Sequence, residues 1–322
     1  MANTIYDLII IGAGPAGLSC AIEAQNAGMK YLVIDKGSIA DSIQKFQRDM
    51  FFFSTPELLE IGNIPFVVPA TRPTSLDCVN YYRNVAEHYK LQLKLYETVS
   101  EVKKTGDHFI IKTDQHSYSS TSVVISTGYY DDPAPLGVPG EDLPHVSHYY
   151  RDSLPFYKQN IVVVGGKNSA VEAALDLYRH GAHVTVVHRG SALTAGVKYW
   201  ILPDFENRVK DGSIIFHTNS IVREFKHGIT IIKNTNGQTT EIRTDAVFIL
   251  IGYLPDVSFL QKMGIEIDKD SLAPSHNPET METNVQGLFV GGGMVGGKFN
   301  NRVFIENGRE HGKKIVQYLM KK

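Results

Sequence analysis

The sequence predicts an α/β protein made of two Rossmann-like dinucleotide-binding domains, the second inserted in the first. Three observations carry this. Residues 7–35 run strand, glycine turn, helix, strand; residues 160–189 repeat the pattern; and a last buried strand with a glycine cluster, 287–297, returns to the first fold.

Asp7 to Ile11 is a short apolar run rich in β-branched side chains, as in a strand buried on both faces. Gly12-Ala13-Gly14-Pro15-Ala16-Gly17 then fits G-x-G-x-x-G. Gly12 makes the tight turn, Gly14 lets backbone approach a pyrophosphate, and Gly17 lets helix and strand pack closely. Leu18, Ala21, Ile22 and Ala24 to Ala27 fit a helix packed on a sheet, and Gly28 ends it. The start of that helix offers free N–H groups and positive potential to phosphates. Tyr31 to Ile34 is the second strand, and Asp35 at its tip stands where a ribose hydroxyl is read, about 20 residues beyond the turn.

Ser38 to Gln47 reads as a polar helix-like stretch. Phe51, Phe52 and Phe53 lead into a turn at Ser54-Thr55-Pro56; such a cluster is either core or the wall of a ring cofactor. Ser75 to His88 is a helix with Ser75 as its candidate cap and a stripe of Leu76, Val79, Tyr82, Val85 and Ala86. Leu91 to Tyr118 alternates as a β-meander, and Val123 to Ser126 is a buried strand ending at Thr127-Gly128.

Asn160 to Val164 is again an apolar strand, running into Gly165-Gly166-Lys167-Asn168-Ser169-Ala170. Val171, Ala174, Leu175 and Leu177 give the helical stripe, Gly181 closes it, and Val184 to Val187 is the next strand, tipped by His188-Arg189. Lys167 replaces the fingerprint's second glycine and brings an ammonium towards the pyrophosphate. Arg189, in place of an acid, suits a 2′-phosphate and favours NADP over NAD; a solvated surface arginine is the alternative.

Ala246 to Gly252 is a further buried strand, read as the return to the first fold. Strand 287–290 follows, and five glycines lie between Gly291 and Gly297, where backbone is expected against a ligand. Phe304, Ile305, Ile315, Val316 and Leu319 form a final helix. The boundaries that follow are 1–122 with 247–322 for the first domain and 123–246 for the inserted one.

The 322 residues suggest about two domains. Apolar residues make 43% and charged residues 20%, as in a globular protein with a real core. A net charge of −2 gives no general attraction to nucleic acid or an anionic membrane. No apolar stretch is long enough to span a bilayer, and there is no basic n-region followed by an apolar h-region. Cys20 and Cys78 are the two cysteines, with no C-x-x-C and no zinc spacing, so no metal is expected. These features fit a soluble, cytoplasmic protein.

The first fingerprint with its Asp35, Ser126-Thr127-Gly128, Gly165-Gly166-Lys167-Asn168-Ser169-Ala170, Ile251-Gly252 with Pro255, and the Glu282-Thr283-Asn284-Val285 stretch together resemble the two-dinucleotide-fold flavoproteins of the thioredoxin reductase type, over essentially the whole chain. The Val164–Ala170 stretch, Trp200 to Pro203, Val303 to Gly308 and Thr127-Gly128-Tyr129-Tyr130 resemble the bacillithiol disulfide reductases in particular. The resemblance implies FAD in the first fold, at Gly12, Gly14, Pro15, Ala16, Gly17, Asp35, Lys36, Thr127, Gly128, Gly292 and Phe304. It implies NADPH in the inserted fold, at Gly165, Gly166, Lys167, Asn168, Ser169, His188, Arg189 and Gly252. The helix after Phe299 is expected to aim its N-terminus at the flavin, and Phe51 to Ser54, Tyr129 and Tyr130 are expected to wall it. The implied activity is NADPH-dependent reduction of a low-molecular-weight disulfide such as bacillithiol disulfide. The partner is then a small-molecule disulfide or a small redox protein, not nucleic acid or a membrane, and a homo-oligomer, dimer or higher, is expected.

Three departures shape the expected mechanism. Thioredoxin reductases carry a C-x-x-C in the NADPH domain, absent here. The bacillithiol reductases usually carry a cysteine where this chain has Ala16, and Cys20 lies one helical turn further on. Gly293 stands where thioredoxin reductases have an Asp that touches the ribityl chain. No catalytic side chain is assigned; the flavin carries the chemistry and Cys20 is not expected to relay it. Rival readings are a class B flavin monooxygenase, suggested by Pro139-Gly140-Glu141 with Val146 to Tyr150, a ferredoxin or flavodoxin reductase, and a non-enzymatic NADPH sensor.

Overall fold

The computed structural model describes residues 5–193, 196–299 and 302–322. In chain order the elements are β1 (Ile5–Ile11), α1 (Pro15–Asn26), β2 (Tyr31–Ile34), α2 (Asp41–Gln44), α3 (Pro56–Leu59), α4 (Ser75–Tyr89), β3 (Leu93–Lys94), β4 (Val99–Thr105), β5 (His108–Thr113) and β6 (Ser117–Ile125). There follow β7 (Val146–Ser147), β8 (Asn160–Val164), α5 (Asn168–Arg179), β9 (His183–Val187), α6 (Leu202–Lys210), β10 (Ile214–His217), β11 (Ser220–Lys226), β12 (Ile229–Asn234), β13 (Thr239–Arg243) and β14 (Ala246–Ile249). The chain closes with α7 (Val257–Lys262), β15 (Leu288–Val290), α8 (Ile305–Gly308) and α9 (His311–Leu319). It divides into two compact units. The first takes in the chain up to Gln44, Ser54–Asp132 and Tyr253–Lys322; the second is Lys45–Phe53 with Pro133–Gly252.

The first unit is built on one sheet in the order β3-β2-β1-β6-β5-β4. β1 pairs parallel with β2 and β6, as a βαβ crossover requires. The sheet forks along β6: Ser117–Ser120 pairs antiparallel with β5, while Val123–Ile125 pairs parallel with β15. Ile9, Ile11, Leu32, Ile34, Val123, Ile125, Leu288 and Val290 form its core with Leu260 and Ile265. The expected meander appears as β4 and β5.

The second unit carries a parallel sheet, β10-β9-β8-β14-β7, and an antiparallel one, β11-β12-β13. The apolar residues of β8 point alternately to two cores. Ile161 and Val163 meet α5 and α6; Val162 and Val164 meet Val222, Phe225 and Ile232 of the small sheet.

Several expectations change. Ala246–Ile249 does not return to the first sheet; β14 pairs with β8, Val247 opposite Val162. Residues 123–125 belong to the first sheet, Val123 opposite Ile9. The compact units therefore change over at 132/133 and 252/253, where 122/123 and 246/247 are expected, and also at 44/45 and 53/54. A fully apolar run reports burial on both faces and says nothing of which sheet buries it. The polar stretch 38–47 is helical only over α2. Thr74, not Ser75, caps α4: its hydroxyl accepts from Asp77 N–H while the Asp77 carboxylate accepts from Thr74 N–H, a reciprocal box. The final helix is two pieces, α8 and α9, interrupted at Arg309 and Glu310.

Candidate functional site

In the first unit the glycine turn is fixed by contacts that no side chain would permit. Gly12 has φ +112°, and a methyl group there would stand 2.4 Å from the Ser126 carbonyl oxygen. One on Gly17 would stand 1.9 Å from the Gly12 carbonyl oxygen. Strand, turn and helix thus interlock through bare backbone. Gly14 differs: a methyl group there meets nothing within 4 Å, and the same holds at Gly128, φ +73°. Gly14 precedes α1 with Pro15 in the first turn and no side chain capping the helix. The start of α1 is thus uncapped by any side chain and has open space beside Gly14, as an anion-binding helix start needs.

Asp35 closes the other side of the turn. Its carboxylate accepts from the Ala13 N–H at 2.6 Å and the Gly37 N–H at 2.7 Å. Burial nevertheless pushes its pKa up, against the pull of those two donors. The acid expected at a ribose also braces the fingerprint loop. Lys36, expected beside it, pairs with Asp131 at 3.0 Å.

The last glycine cluster packs onto the same turn. A methyl group on Gly292, φ +74°, would stand 2.9 Å from Ala16 Cβ, and one on Gly293 would stand 2.5 Å from Tyr129 Cε1. Thr127 sits beside it, its hydroxyl 3.9 Å from Met294 Sδ. Gly12–Gly17, Ser126–Tyr129 and Gly291–Gly293 are therefore one cradle. Phe304 precedes α8, 52% exposed, with its N–H donated to Asn307 Oδ1. The helix that follows Phe299 is the four-residue α8.

Phe51 to Phe53 are placed by neighbours far away in sequence. They belong to the second unit, where Phe53 lies 5.6 Å from the Trp200 ring and the Phe51 carbonyl accepts from Lys198 Nζ at 2.7 Å. Ser54 falls in the first unit, its hydroxyl donating to Glu306. The Tyr130 and Tyr253 rings pack at a tilt of 35°, their centroids 4.4 Å apart.

The second unit repeats the turn with different detail. Gly165 has φ +154°, and a methyl group there would stand 2.5 Å from the carbonyl oxygen of Leu250, the residue after β14, which takes the place Ser126 has in the first unit. Lys167 and Ser169 are exposed at the start of α5, which no side chain caps. Asn168 is engaged away from it: its Oδ1 accepts from Lys198 N–H and its Nδ2 donates to the Gly196 carbonyl, pinning the 196–198 loop. The His188 imidazole packs across Gly166 and Gly190, with Nε2 donating to the Ala192 carbonyl at 3.1 Å. Arg189 is exposed and makes no ion pair among the described residues. Gly252, φ +111°, has open space where a side chain would go.

Lys198 escaped the sequence reading. Only 5% exposed, it pairs with Glu172 of α5 at 2.5 Å while holding Phe51. A single lysine in a loop carries no signal of this; its partners lie far away in sequence.

The pyridine nucleotide-disulphide oxidoreductase family model matches residues 9–292. Bacilliredoxin reductase Bdr of Bacillus subtilis is 42% identical over 98% of this chain and 97% of its own length. The bacillithiol disulfide reductase Bdr structure from Staphylococcus aureus superposes with a TM-score of 0.96 at 38% identity, and that from Bacillus cereus with 0.96 at 39%, each covering 99% of both chains. The chain belongs to the bacillithiol disulfide reductase family. It is accordingly an oxidoreductase of the pyridine nucleotide-disulphide type, and the cofactors of that family are FAD and NADPH.

Members of this family act on disulfides, so the thiols matter. Cys20 is 1% exposed and Cys78 is fully buried. Burial, with Glu23 adding to it, pushes the Cys20 thiol up to about 12; burial, with Asp77 adding to it, pushes Cys78 up as well. Neither is a thiolate at neutral pH. The residues behind the monooxygenase reading also have structural work: the Glu141 carboxylate accepts from the backbone of Leu136, Gly137 and Val138 and pairs with His148 at 3.2 Å. Among the described residues no cluster of His, Cys, Asp or Glu could hold a metal, and no helix is long and apolar enough to cross a membrane.

Proposed function

We propose that the first unit holds FAD, the second NADPH, and that the enzyme reduces a low-molecular-weight disulfide, bacillithiol disulfide, without an intrachain thiol relay. The observation that carries the reading is the placement of the two cysteines: both are buried, and neither lies in a C-x-x-C. The first cradle fits FAD, with open space over Gly14 and Gly128 and an uncapped helix start for a pyrophosphate. The similar structures from S. aureus and B. cereus carry bacillithiol disulfide in their names, and the B. subtilis relative carries bacilliredoxin.

Bound FAD and NADPH supply the redox chemistry, moving two electrons from NADPH to the disulfide. The balance is NADPH, one proton and one disulfide giving NADP⁺ and two thiols. The protein's share is placement. Asp35 braces the first turn, and in the second unit the start of α5, Lys167 and Arg189 draw the phosphates of NADPH. The enzyme works as a homo-oligomer.

Anaerobic titration of the NADPH-reduced enzyme tests this. Bacillithiol disulfide reoxidises the flavin at a rate that matches turnover, and a bacilliredoxin–bacillithiol mixed disulfide does not outpace it. Reoxidation by neither, with fast reoxidation by oxygen or ferredoxin, overturns the reading.

A further inference from the structure

The turn Gly291–Gly293 is held from behind by a side chain outside both fingerprints. The Gly292 N–H donates to His311 Nδ1 at 3.1 Å. Gly292 has nowhere else to go: Ala16 stands on one side, and Gly308 of α8 lies 3.4 Å from its Cα on the other, measured from the place of a Gly308 side chain. His311 opens α9, and the next residue, Gly312, is pressed onto Cys20 of α1. The imidazole is thus fixed between the helix that begins at the first fingerprint and the turn that covers it.

An acceptor at Nδ1 requires that this nitrogen carry no proton. The surroundings enforce that. Burial, then Lys314 on its own helix and His276 from the segment before β15, pull the His311 pKa down to about 4. From α1 the residue packed beside His311's neighbour Gly312 is Cys20, which carries no formal charge in its thiol form, and the neighbouring Glu310 turns to Arg309.

We propose that His311 is a positioning residue for FAD, setting the Gly291–Gly293 turn over the cofactor through the hydrogen bond it accepts from Gly292. This rests on FAD occupying the first unit. The His311 hydrogen bond is to backbone, and the ring takes no part in the redox step. An asparagine can present Oδ1 where the histidine presents Nδ1; a phenylalanine of similar shape cannot.

The experiment is equilibrium dialysis of holoenzyme FAD, read by flavin absorbance and visible circular dichroism, for wild type, His311→Phe and His311→Asn between pH 4 and 8. His311→Phe should weaken FAD binding about tenfold at pH 7.5 and alter the flavin dichroism, with His311→Asn within about threefold of wild type. Wild type should lose FAD as pH falls towards about 4, and His311→Asn should lack that acid step. Phenylalanine binding FAD as tightly as histidine, or asparagine failing as badly as phenylalanine, overturns the proposal. Wild type that binds no FAD at any pH overturns the underlying reading instead.

Discussion

Gly312 of α9 lies directly on the backbone of Cys20 in α1: a methyl group on Gly312 would stand 2.4 Å from Cys20 Cα and 2.6 Å from its nitrogen. The helices meet at bare backbone, and the thiol is sealed in the seam. Gly312→Ala should therefore destabilise the enzyme by roughly 1–3 kcal/mol, as overpacking does, seen as a lower denaturation midpoint. The double variant Cys20→Ser, Cys78→Ser should keep most of its NADPH-dependent disulfide turnover. Loss of that turnover with normal flavin reduction would show a thiol relay.

Arg189 is the exposed cation at the tip of β9. A charge-assisted contact to a 2′-phosphate is worth on the order of 1.5–3 kcal/mol, roughly ten- to a hundredfold in binding. Arg189→Ala should raise KM for NADPH by that factor and leave NADH nearly unchanged, measured by steady-state kinetics with both coenzymes. An equal rise for both would make the residue structural.

Lys198 and Glu172 form a pair that burial makes costly to break. Removing one partner strands the other, at roughly 3–5 kcal/mol. Lys198→Met should unfold the second unit at markedly lower urea, and adding Glu172→Leu should recover much of the loss. Limited proteolysis should show the Lys45–Phe53 segment cut faster in the single variant, because the Phe51 carbonyl loses its donor.

The pH dependence of stability follows from His311. Its folded value of about 4 lies below the ordinary 6.5, so the unfolded chain binds the proton more tightly. Stability from the neutral ring is full above about pH 6.5 and is lost as pH falls towards 4. A thermal melt series from pH 7 to 4 should show that fall, and His311→Asn should reduce its slope.

Both fingerprints were legible because their glycines answer local demands: Gly12, Gly17 and Gly165 sit where any side chain would strike a carbonyl. Gly28 and Gly181 end their helices with positive φ, as their positions imply. What escaped was pairing at a distance. Nothing in the run Ala246–Ile249 distinguishes β8 from β6 as its neighbour. Nothing local in Phe51–Phe53 tells that Lys198 and Trp200 hold it. His311 reads as one polar residue on an amphipathic helix, and its role appears only when Gly292 is brought beside it.

The fork in β6 bears on how the chain is made. Val123–Ile125 waits for Leu288–Val290, and α1 waits for α9, while every residue of the second unit lies between Lys45 and Gly252. During synthesis the inserted unit is whole while the first still shows an unpaired strand edge, a site for wrong association. The unit that begins first is thus finished last.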